Sequence, residues 1–114
     1  MNTTSTQFSP RTPDQGVRAQ IEAAKDYLRA QGFADVEDPT VVQNQGFERN
    51  VHTVRMTHQK QPRLLRLSYS WLQERTPTKC REELARRGVA ELLRTESPVA
   101  ILGDGTLQHP TDLP

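Results

Sequence analysis

Leu65, Leu67, Tyr69 and Trp71 alternate with Arg66, Ser68 and Ser70, and this period of two restricts the fold more than any other feature of the chain. Alternating apolar and polar residues suit a strand with one buried and one wet face. Residues 63–72 are therefore expected to form a strand. The stretch 51–58 precedes them across the polar connection Gln59-Lys60-Gln61-Pro62, which has hairpin length. If Val54 and Met56 enter the same interior as Leu65 and Leu67, then Arg55 and Thr57 share the wet face with Arg66. Thr40-Val41-Val42, set between breakers, predicts a short earlier strand.

Helical spacing flanks this region on both sides. Thr12-Pro13-Asp14-Gln15 has the pattern of a capping box with Pro at the first helical position. Val17, Ile21, Ala24 and Leu28, with Tyr27 alongside, then make one apolar stripe. Gly32 is placed to close that helix, and Phe33 to fold back on its last turn. Thr76-Pro77-Thr78 opens a second helix with Cys80, Leu84 and Ala85 on its stripe. Gly88 is expected to bend or interrupt it before Val89, Leu92 and Leu93, and Pro98 to end it. A last strand over 99–102 and a type I′ turn at Asp104-Gly105 complete the reading. Glu83–Val89 is one residue short, between Ala85 and Gly88, of the turn in a helix-turn-helix DNA reader; the missing residue shifts the register by about 100°.

The order helix, strands, helix, strands describes an α+β fold: a small two-layer domain, an antiparallel β-sheet with two helices packed on one face. Its size fits one domain, assigned to residues 12–108. The apolar content is 33%, against roughly 45–50% in globular domains. Such a thin core suggests that part of the chain stays unfolded or that a partner supplies apolar contact. Residues 1–11, polar and rich in Thr and Ser, read as a flexible arm, and residues 109–114 as a flexible tail. No run is long and apolar enough for a membrane span, no secretory signal pattern opens the chain, and the one cysteine cannot form an internal disulfide. A cytoplasmic location with no membrane partner is expected.

Net charge is only +1, but the charges are segregated. Residues 1–50 carry five Lys/Arg against seven Asp/Glu, residues 51–94 ten against four, and residues 95–114 none against three. Arg55, Lys60, Arg63 and Arg66 on the hairpin, with Lys79, Arg81, Arg86 and Arg87 on the second helix, are the candidate contacts to a phosphate backbone. Glu82 and Glu83 stand four residues before Arg86 and Arg87, a spacing that neutralises charge on a solvated helix face. The same segment also suits a protein partner: an adaptor, inhibitor or immunity-type protein working through a sheet edge or helix face, or a second copy of the chain.

Catalytic signals are weak by comparison. Cys80, near a helix start between Lys79 and Arg81, has the surroundings of a reactive thiolate. Its place on the apolar stripe equally suits a small core residue. His52, His58 and His109 show no zinc spacing with Cys80, and Gly103-Asp104-Gly105 lacks the further acids of a calcium loop. The residues point to a binding module with no cofactor and no metal.

Overall fold

The computed structural model describes residues 15–43 and 50–109. Helix α1 spans Arg18–Ala30 behind a 3-10 turn at Gln15–Val17, and α2 spans Tyr69–Gln73. Helix α3 spans Pro77–Arg86 and α4 Val89–Thr95. The strands are β1 Thr40–Gln43, β2 Asn50–His58, β3 Gln61–Ser68, β4 Val99–Ile101 and β5 Leu107–Gln108. They form one sheet in chain order, β1-β2-β3-β4-β5. The fold is α+β, as expected. The sheet is mixed, because β4 runs parallel to β3 while the other neighbours are antiparallel. Parallel neighbours need a long crossover, and α2, α3 and α4 supply it between residues 69 and 98.

The expected stripe of α1 is buried throughout: Val17, Ile21, Ala24, Tyr27 and Leu28 all lie in the core. The helix ends as its sequence predicts. Gly32 takes φ +95°, a left-handed conformation that costs glycine no steric clash. Its N–H then bonds to the Arg29 carbonyl at 3.0 Å and the Phe33 N–H to the Leu28 carbonyl at 3.1 Å. This pair of bonds is a Schellman closure, and it returns buried Phe33 onto the last turn. The capping box begins at Thr12, outside the described residues, as do the arm over 1–11 and the tail from residue 110 on. His109, assigned by sequence to that tail, is half-buried and meets the Glu96 carboxylate at 2.5 Å.

Thr76 caps α3, its hydroxyl accepting the Lys79 N–H at 3.1 Å, with Pro77 at the first helical position. Gly88, at φ +68°, separates α3 from α4. Tyr27 ties this helical layer together: its hydroxyl accepts the Ala90 N–H at 3.1 Å and donates to the Leu84 carbonyl at 3.3 Å. Burial raises the pKa of this phenol above its ordinary value, so it remains a donor at neutral pH. On the far side of α1, nearly buried Lys25 meets Glu22 at 3.3 Å and also holds Asp38, just ahead of β1.

Three local expectations need correction. Tyr69 and Trp71 do not continue β3; they belong to α2. A strand would have put one of Trp71 and Leu72 into water, whereas a helical turn buries both. The β2–β3 connection is two residues long, not four, because His58 pairs directly with Gln61. Gln59 and Lys60 have φ of 52° and 68°, the left-handed pair of a type I′ turn. Pro62 is accommodated within β3 because it falls at a non-hydrogen-bonded position next to the closing pair, where its absent N–H would point away from β2. Conversely, the expected type I′ turn at Asp104-Gly105 is a three-residue loop. Only Gly105 is left-handed there, and the bonds Gly105 N–H to Leu102 and Leu102 N–H to Thr106 measure 2.8 and 2.9 Å.

A single apolar cluster joins the helices to one face of the sheet. Val54 and Met56 of β2, Leu65 and Leu67 of β3, and Val99 and Ile101 of β4 meet Ile21, Leu28, Trp71, Leu72, Leu84 and Leu93 there. The strand residues of opposite parity, including Thr53, Arg55, Leu64, Arg66 and Ala100, stay outside it and define a second, outer face.

Candidate functional site

The strand register decides which basic residues of the hairpin can act together. Thr53 faces Arg66 and Arg55 faces Leu64 across the β2–β3 pair, so Arg55 and Arg66 lie diagonally on the outer face. Both are exposed. Lys60, also exposed, stands at the tip of the hairpin. None of these three enters an ion pair among the described residues. Strands β2 and β3 contain no acidic residue at all. Glu37, whose N–H bonds to the Arg55 carbonyl at 2.9 Å, approaches through its backbone and forms no ion pair with that arginine.

Arg63 is placed differently. It has the parity of Leu65 and Leu67 and so turns toward the inner side, where its guanidinium donates to the Arg94 carbonyl at 3.1 Å. Arg94 in turn donates to the Gln31 carbonyl at 3.0 Å at the end of α1, with its guanidinium 5.9 Å from the centre of the Phe33 ring. Both arginines thus satisfy carbonyls that helix ends leave without an intrahelical partner.

The helical cations are mostly neutralised by their own neighbours. Lys79 meets Glu82 at 3.6 Å, and Glu83 meets Arg86 at 3.0 Å and Arg87 at 4.0 Å. The expected Glu83–Arg87 pair is formed, while Arg86 pairs with Glu83 rather than with Glu82. Arg87 also donates to the Gly105 carbonyl, fastening α3 to the β4–β5 turn. Arg81 is the exposed cation of α3 that forms no ion pair among the described residues. Of the eight sequence candidates, then, the outer face and hairpin tip gather Arg55, Arg66 and Lys60; Arg63, Lys79, Arg86 and Arg87 are engaged elsewhere, and Arg81 stands apart on its helix.

Cys80 is not a poised nucleophile. It is fully buried within the apolar cluster, and burial pushes its thiol up to about 11. The positive charge of Arg75 opposes that shift without overcoming it, so the thiol stays protonated at neutral pH. His52, on the inner face, stacks near Tyr69 at 6.3 Å between ring centres, and His58 lies against Phe33 at 5.4 Å. Among the described residues no three His, Cys, Asp or Glu side chains form a group suited to a metal ion. No helix among them is long and apolar enough to cross a membrane.

One arrangement on the outer face escaped the sequence reading. Thr40 faces Thr53, Thr53 faces Arg66, Arg66 faces Ala100, and Ala100 faces Gln108. The five residues make one unbroken row across every strand, about 19 Å long at ordinary strand spacing. Two hydroxyls, a guanidinium and an amide line it. Only the order and direction of the strands reveal it, and neither is written in local sequence.

No family model matches the chain, and neither a curated protein nor a solved structure does.

Proposed function

We propose that this protein is a small, non-enzymatic binding module that engages nucleic acid through the outer face of its sheet, with Arg55, Arg66 and Lys60 as the charged contacts. The observation that carries this reading is that two exposed arginines, unpaired among the described residues, share a sheet face whose strands β2 and β3 hold no acid. A phosphate backbone is the complement of such a surface. The row of Thr40, Thr53 and Gln108 adds hydrogen-bonding side chains of the kind that contact phosphate and sugar oxygens. Lys60 gives further support: a lysine occupies a left-handed turn position that a glycine would take with less strain. The reading carries a cytoplasmic location, where nucleic acid and reduced thiols are both found.

Half-buried Val51 and Leu64 lie on the same outer face and favour a protein partner as the second reading. Salt separates the two, because phosphate contacts weaken steeply as salt rises and apolar contacts do not. Fluorescence anisotropy with a mixed pool of DNA and RNA, taken from about 50 to 200 mM salt, is the test. Binding at low salt that falls with added salt and vanishes in the Arg55→Glu/Arg66→Glu variant is the expected result. Absence of binding at the lowest salt sinks the nucleic-acid reading.

A further inference from the structure

The chemistry of the outer face also discriminates between forms of nucleic acid, given the nucleic-acid reading above on which this step rests. Proteins that hold single strands combine a basic track with aromatic side chains on which successive bases stack. Here the rings of the described residues serve the other side of the sheet. Tyr27, Phe33 and Trp71 are buried in the core, and Tyr69 packs against it. The outer face offers Thr53, Arg55, Thr57, Leu64, Arg66 and Ala100 instead, none of which carries an aromatic ring.

The placement of charge points the same way. Arg55 and Arg66 are fixed diagonally across two paired strands, about 7–8 Å apart at the backbone. Lys60 lies farther along the hairpin, roughly 10–15 Å from Arg55 at the rise of an extended strand. A double helix carries one negative charge per about 1.7 Å of its axis, whereas one strand carries one per about 3.4 Å. Three cations held in place by a sheet therefore meet more phosphate on a duplex than on a single strand. A stiff duplex also loses less conformational freedom on meeting a rigid surface.

We propose that the outer face of the sheet binds the phosphate backbone of double-stranded nucleic acid, without regard to base sequence and in preference to single strands. Arg55, Arg66 and Lys60 supply the charge, and Thr40, Thr53 and Gln108 supply neutral hydrogen bonds along the row through Arg66.

The test is a competition in which the full chain, bound to a labelled duplex, is challenged with duplex DNA, duplex RNA and their separated strands. Duplexes should compete about fivefold or more better than their strands, and two duplexes of unrelated sequence equally well. With three contacts at about 0.9 each, log affinity should fall against log salt with a slope near −2.7. Arg66→Ala should flatten that slope by about 0.9, and Arg66→Lys should restore it. A thermal melt matching the unaltered protein confirms that these surface variants fold. Competition by either duplex supports the proposal, and a preference between them identifies the source of the backbone. Single strands that compete as well as duplexes, or a strong dependence on base sequence, overturn this proposal while leaving nucleic-acid binding in place. If no labelled nucleic acid binds at all, the functional reading above fails and this step fails with it.

Discussion

Helix α3 and the β2–β3 hairpin are both rich in basic residues, yet the helix neutralises most of its charge and the hairpin does not. In α3 the carboxylates of Glu82 and Glu83 lie three and four residues from Lys79, Arg86 and Arg87, within reach on the same face. In the hairpin the neighbours of an arginine are the residues two positions away and those across the pair. For Arg55 and Arg66 those neighbours are Thr53, Thr57, Leu64 and Ser68. A similar number of basic residues is therefore mostly quenched in one element and mostly left available in the other. A net charge calculated over residues 51–94 merges these two situations.

The sharpest way to break this contrast is to test whether the outer face is open. Leu67 and Leu64 lie on opposite sides of the same strand, the first fully buried and the second partly exposed. Leu67→Ala should cost roughly 2–5 kcal/mol in urea unfolding, and Leu64→Ala less than about 1 kcal/mol, near the surface range. Equal losses would show that something covers the outer face. A second test frees the helical cations: in Glu82→Gln/Glu83→Gln, low-salt affinity for nucleic acid should rise about threefold, a gain of roughly 0.6–0.7 kcal/mol by the usual conversion. Unchanged affinity would mean that these ion pairs do not limit what α3 contributes to binding. The smallest effect belongs to the hairpin tip. Gln59→Asn/Lys60→Gly places a favoured sequence in the left-handed turn and should add roughly 0.5–1 kcal/mol of stability. The salt slope of binding should flatten by about 0.9 in the same variant. A variant that melts lower would contradict the type I′ assignment.

What the sequence revealed was local. The stripe of α1, its closure at Gly32, the cap at Thr76, the break at Gly88 and the shared face of Arg55 and Arg66 all follow from spacing over a few residues. The misreadings have identifiable causes. Parity alone assigns Arg63 to the side of Leu65 and Leu67, so its turn away from Arg55 is legible in the alternation of the strand. Trp71 next to Leu72 also gave warning, since no half-wet strand buries two successive residues. Other features had no local signal. Neither the parallel pairing of β3 with β4 nor the row from Thr40 to Gln108 can be found without knowing which strands become neighbours.

That parallel pairing also sets an order of assembly. The β2–β3 hairpin closes over two residues, whereas Leu65 and Leu67 wait for Val99 and Ile101 from beyond three helices. Contacts so distant along the chain form late, because a large loop must close before they return any energy. Until then the Leu-rich edge of β3 is unpaired, and such an edge invites pairing with another chain. A newly made chain is thus most prone to aggregation after its hairpin has formed and before its last strands arrive. Strand β4 acts as the guard on the central strand β3.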